Sequence, residues 1–155
     1  MIPDWLETLP LAAWLRRSTF AYPLVNAAHI LGIGLILGAI LPLDLRLMGA
    51  FRAAPLPVLG PFLSRAAAVG VALALVTGLL LFLVKPADYL ANPAFLAKLG
   101  LLALALANVA LIHLGPGWRR ATTERGVSRA LRLSAVASML LWLGALVAGR
   151  WIGFL

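Results

Sequence analysis

The chain has 155 residues, 63% of them hydrophobic, and 13 lysines and arginines against 5 aspartates and glutamates, for a formal net charge of +8. So apolar a composition excludes an ordinary soluble domain and a disordered chain, and residues 1–155 are read as a single integral membrane domain with no room for a second folded unit. Cysteine is absent, which excludes a disulfide framework, a thiolate nucleophile, an iron–sulfur cluster and covalently attached haem; the arginines cluster between apolar runs, where they report membrane orientation and contact with anionic headgroups rather than nucleic acid.

The chain opens with Asp4 and Glu7 ahead of any basic residue, so no cleavable signal peptide is expected. Trp5, Leu6, Leu9, Leu11 and Trp14 alternate with Asp4, Glu7, Arg16 and Arg17, and Pro10 breaks any continuous helix. That mixture predicts one or two short helices lying in the interface, anchored by tryptophan, or an amphipathic leader with no role of its own.

A bilayer core takes about 20 apolar residues in helical form. Spans are therefore expected at about 22–43, 62–84, 93–114 and 133–155. Pro42 lies near the end of the first, and Pro55, Pro57 and Pro61 predict an irregular loop before the second. Asn92 followed by Pro93 reads as an N-cap with proline at the first helical position. Gly115-Pro116-Gly117 stops the third span. The expected fold is all-α, a four-helix transmembrane bundle with a short N-terminal interfacial helix.

Lysine and arginine counts in short loops set the orientation. Arg46, Arg52 and Arg65 flank the first connection, and Arg119, Arg120, Arg125, Arg129 and Arg132 fill the third. The other side carries Arg16, Arg17 and Lys85, partly offset by Asp4, Glu7 and Asp88. Both termini are expected outside, and no acidic residue is expected within the spans.

Each span holds one polar residue that has to be explained: His29, Thr77, Lys98 and Arg150. An ionisable side chain at mid-helix costs about 2.5–3.5 kcal/mol on insertion, so it is normally kept for a reason. A rise of about 1.5 Å per residue puts all four roughly 7–10 Å below the outer face, in one layer. Tyr22, Asn26 and His29 share a helix face by their spacing, which extends that layer outward. The bland readings are that Lys98 and Arg150 snorkel to headgroups and that Thr77 bonds to its own backbone. His29 is too short to snorkel. His113 lies at the far end of the third span, about 20 Å from His29, so the two cannot ligate one metal or both faces of one haem. It is expected to cap its own helix or to meet Asp44. Asn108 is expected to bond between helices. Gly34-xxx-Gly38, Ala66-xxx-Gly70 and Ala145-xxx-Gly149 are candidate close-packing motifs, and small residues beside His29 equally make room for a flat cofactor.

The stretches YPLVNAAHILGIGLILGAILPLDLRLMG (22–49) and NPAFLAKLGLLALALANVALIH (92–113) resemble an uncharacterised bacterial family of small four-helix membrane proteins. More distantly the chain is similar to HemJ-type protoporphyrinogen oxidases and CopD-like copper-resistance membrane proteins. In the HemJ type, a first-helix histidine and an early third-helix lysine go with b-type haem and porphyrin chemistry. His29 and Lys98 resemble those residues, and Arg46 resembles the arginine that ends the first helix. The resemblance implies a bacterial inner-membrane protein that binds haem b or a porphyrin. His29 would be the metal ligand, Lys98 a second axial group, Arg150 a partner for a propionate, and Asn26 and Thr77 neighbours of the site. Homo-oligomers and a redox partner go with that reading, with membrane lipid around it. Two other classes stay open: a small transporter or proton- or anion-handling protein using the His–Lys–Arg layer, and an accessory subunit whose polar residues meet a partner's helices. No nucleophile, carboxylate pair or metal-ligand cluster marks the chain as an enzyme.

Overall fold

The computed structural model describes residues 9–123 and 126–155. Asp4, Trp5, Leu6, Glu7 and Arg125 therefore lie outside the described residues. In chain order the helices are α1 (Pro10–Arg17), α2 (Ala21–Met48), α3 (Leu56–Val84), α4 (Pro86–Ala91), α5 (Pro93–Leu114), α6 (Pro116–Thr122) and α7 (Arg129–Trp151), ending in a 3₁₀ turn over Ile152–Phe154. No strand occurs among the described residues. Helices α2, α3, α5 and α7 are long and apolar enough to cross a membrane. Their outward faces carry large apolar side chains, Leu79 at 60% exposure and Leu140 at 67% among them. Apolar surface on that scale is not left to water in a soluble monomer, and lipid contact accounts for it. The all-α bundle and its short leading helix are as expected; α4 and α6, each opened by a proline, fill what the sequence left as loops.

The prolines account for the shifted boundaries. Helix α2 runs through Pro42 to Met48 rather than stopping near residue 43. Proline deletes one helical hydrogen bond, and burial of Leu43 and Leu47 on the far side of it offsets that loss. The helix ends at Gly49, whose φ of 113° is left-handed, with Gly49 and Ala50 N–H groups donating to the Arg46 and Leu45 carbonyls. Helix α3 begins six residues early because Pro55 caps it and Pro57 falls in the first turn, where a missing N–H costs nothing. These corrections move Asp44 inside a spanning helix, where it is 4% exposed, against the expectation that the spans hold no acid.

Helices α2 and α3 pack along their length, as do α5 and α7, and α2 against α7 joins the two pairs. Helices α3 and α5 barely touch. The closest approach is Gly32 of α2 against Gly70 of α3: a Cβ on Gly70 would lie 2.9 Å from the Gly32 carbonyl oxygen and the Ile36 nitrogen. Gly34 and Gly38, the expected motif on α2, have nothing within 4 Å of an added Cβ. The packing glycine is thus Gly32, on a different face. Asn108 and Ser134 tie α5 to α7 as expected, with the amide donating to the Ser134 carbonyl at 3.1 Å and the hydroxyl to the amide oxygen at 2.5 Å.

Asn92 does what its sequence position predicts. Its side-chain oxygen accepts from Ala94 and Phe95 N–H at 3.0 and 3.2 Å, and its amide donates to the Ile152 carbonyl at 3.1 Å, pinning the end of α7. Asn92→Ala is expected to cost about 1 kcal/mol or somewhat more, read from the unfolding midpoint in mixed micelles. An unchanged midpoint would mean that the cap is redundant.

Candidate functional site: a cationic cavity between two helix pairs

Because α3 and α5 do not close on each other, a cavity of about 590 Å³ remains between the pairs, within the range of about 300–1,000 Å³ typical of ligand pockets. Half of its lining is leucine, isoleucine and valine, and all four long helices contribute. At one end Phe82, Tyr89 and Phe95 bridge α3, α4 and α5: Phe82 and Phe95 stack at 5.8 Å with planes 7° apart, and Tyr89 leans on Phe95 at 5.1 Å. Burial, with smaller contributions from Tyr22 and Asp88, pushes the Tyr89 phenol above its ordinary value, so it stays neutral well into alkaline pH.

His29, Asn26, Lys98 and Arg150 all line this cavity. Thr77 stands behind His29, 5% exposed. Its hydroxyl donates to the Leu73 carbonyl at 2.6 Å, and His29 Nδ1 lies 3.0 Å from the same oxygen. With its proton committed to Leu73, the Thr77 oxygen accepts, so Nδ1 of His29 carries the hydrogen and Nε2 keeps its lone pair. The ring is held from a second direction: a Cβ on Gly78 would sit 3.1 Å from His29 Cε1, so glycine at this turn of α3 lets the Nδ1–Cε1 edge lie flat against the helix. Thr77 therefore does the backbone bonding expected of an intramembrane threonine and orients the histidine as well.

Lys98 reaches across Gly149 of α7, whose missing Cβ would stand 3.5 Å from the lysine Cδ, Cε and Nζ. Arg150, next along α7, stacks its guanidinium 4.7 Å from the Phe154 ring centre. Among the described residues no carboxylate lines the cavity, and the ion pair between Lys85 and Asp88 at 3.6 Å is the one formed. The site thus offers two cations and an imidazole in an apolar enclosure. Tyr22 is exposed and does not join the lining, so the stripe on α2 narrows to Asn26 and His29.

His113 is remote from all this. Its Nδ1 donates to the Val109 carbonyl of its own helix at 2.9 Å, Nε2 lies 3.3 Å from the Ser64 hydroxyl, and the ring packs on Trp118 at 4.6 Å. It does not meet Asp44, whose Oδ2 is buried without a hydrogen-bond partner among the described residues. No group of three histidine, cysteine, aspartate or glutamate side chains able to hold a metal occurs among the described residues.

Sequence reasoning missed Trp142. It is 4% exposed, lines the cavity, and its indole Nε1 has no partner among the described residues. A buried, unpaired N–H costs free energy, so it stands ready to donate to a bound molecule or a water. The signal was present: tryptophan favours membrane interfaces, and this one lies mid-span. No family model matches the chain, and no curated protein or solved structure matches it either.

Proposed function

We propose that the cavity binds b-type haem or a closely related porphyrin in the outer half of the bundle. The observation that carries this reading is the 3.0 Å contact of His29 Nδ1 with the Thr77 hydroxyl, itself bonded to the Leu73 carbonyl, which leaves Nε2 as the nitrogen for a ligand in an apolar cavity with two cations and no acid among the described residues. A metal-binding histidine is commonly oriented in this way by a hydrogen bond at its other nitrogen. With no cluster of three protein ligands in the described chain, His29 suits a metal that brings its own equatorial donors, as porphyrin iron does. Arg150 and Lys98 supply charge for propionates, and Lys98 alternatively supplies a second axial nitrogen. The bound group would contribute one-electron redox chemistry; the chain's residues hold it, orient it and keep water from its faces.

This protein is read as a bacterial inner-membrane protein with both ends of the chain outside, because the connections beside Arg46 and Arg119 hold the excess of basic residues. With α3 and α5 barely in contact, a second copy or an electron-exchanging membrane protein would reach the cofactor edge between them.

Titration of haemin into detergent-purified protein tests the assignment against its anionic alternatives. Wild type is expected to saturate with one haem per chain, and Arg150→Gln to weaken binding about tenfold, since a charge-assisted bond contributes about 1.5–3 kcal/mol. Saturable binding of a fatty acid or an inorganic anion, with none of haemin, would replace haem by a carboxylate or anion as the ligand of the cavity.

A further inference from the structure

At the other end of the bundle, a second cavity of about 450 Å³ lies under the turn that follows α2. Three arginines line it: Arg46 from α2, Arg52 from the turn and Arg132 from α7. From His29 to Arg46 is seventeen residues of one helix, about 25 Å, so this is a separate site.

The turn is built to bring the guanidinium groups together. Gly49 is left-handed with φ 113°, and Phe51 holds φ 48°, a region that bulky residues rarely adopt. Arg46 Nε donates to the Ala54 carbonyl at 2.8 Å and its Nη2 to the Arg52 carbonyl at 3.4 Å, folding the turn back over the helix end. Arg52 Nε donates to the Gly49 carbonyl at 3.1 Å. These bonds use one edge of each side chain and leave most of the fork free. The Arg132 side chain makes no hydrogen bond among the described residues, and none of the three guanidinium groups meets a carboxylate there. Beneath them Leu47, Leu56 and Ala121 form a buried apolar floor.

We propose that Arg46, Arg52 and Arg132 form a binding site for a phosphate-bearing anion at the arginine-rich face. Guanidinium forks match phosphate oxygens in geometry, and three of them with no acid beside them among the described residues are better satisfied by a tetrahedral, multiply charged anion than by water. The apolar floor favours a phosphate attached to an apolar body. A phospholipid headgroup and a soluble phosphate ester share this chemistry, and the test separates them.

Delipidated protein in a nonionic detergent is heated in two series. One is doped with phosphatidylglycerol against the same amount of diacylglycerol; the other receives inorganic phosphate or pyrophosphate against chloride at equal ionic strength. A rise in the unfolding midpoint with phosphatidylglycerol alone assigns the site to a lipid headgroup, and a rise with the soluble anions as well assigns it to phosphate in general. In either case Arg132→Gln and Arg52→Gln are each expected to raise the half-saturating concentration about tenfold or more. Arg132→Lys should restore part of the loss. Arg119→Gln, an exposed arginine outside the cavity, should leave it unchanged. Arg46 is left intact because it also holds the turn. No rise in either series, or an equal loss in Arg119→Gln, overturns the proposal.

Discussion

Thr77→Val is expected to weaken haem binding by about 10–100-fold while the bundle stays folded. Valine keeps the shape of threonine but cannot accept from His29 Nδ1 at 3.0 Å, so the ring loses the bond that fixes its tautomer and its angle. The hydroxyl's own bond to Leu73 disappears with it, which leaves no buried donor stranded on the side chain. Thr77→Ser keeps the oxygen and should recover most of the affinity. His29→Ala goes further and should abolish saturable binding. Haemin titration followed by Soret absorbance measures all three. Equal affinities for Thr77→Val and wild type would mean that His29 is not held for ligation.

The second large effect concerns packing. Gly70→Ala is expected to destabilise the protein by about 1–3 kcal/mol, the usual cost of overpacking a tight interface. An added Cβ there would meet the Gly32 carbonyl oxygen, the Ile36 nitrogen and Leu35 Cβ at 2.9 Å; two of these are backbone, so α2 and α3 have to part. Gly32→Ala meets Ala74 backbone nitrogen at 2.9 Å and should behave alike. Gly34→Ala, with nothing within 4 Å, should stay within about 0.5 kcal/mol of wild type or gain slightly from helix propensity. Unfolding in mixed detergent micelles orders the three. Because Gly32 lies one turn from His29, the first two variants should also lose haem. If Gly34→Ala proved the most damaging, the helix pairing described here would be wrong.

Much of the architecture was legible because it depends on local chemistry. Apolar runs of membrane length gave the long helices, and Asn92-Pro93 gave the cap and the first residue of α5 where the structure has them. The shared depth of His29, Lys98 and Arg150 followed from helical rise alone, and they do line one cavity. What failed depended on tertiary partners. Pro42 and Pro61 read as breakers, yet both sit inside helices, because the packing beyond them outweighs a lost hydrogen bond. With the longer α2 came a buried Asp44 that the shorter span had placed in a loop. Gly34-xxx-Gly38 matched a motif, but a spacing names a helix face without naming the face that meets a neighbour; the α2–α3 crossing uses Gly32 instead, against Gly70 of the Ala66-xxx-Gly70 motif, which does pack closely. Thr77 was placed at the right depth, but only its contact with His29 shows that it orients a ring. The convergence of Arg46, Arg52 and Arg132 required the backward turn at Gly49–Phe51, which no loop composition specifies.

Whether the His29 cavity holds a cofactor is tested most directly by the absorption spectrum of the detergent-purified protein. Wild type, expressed with haem precursor supplied, is recorded air-oxidised and then dithionite-reduced, beside His29→Ala. The expected result is a Soret band with sharpened α and β bands on reduction, absent from the variant. A colourless wild type, with no Soret band even after haem is supplied, would contradict the account and turn attention to anion or proton movement through the same cavity.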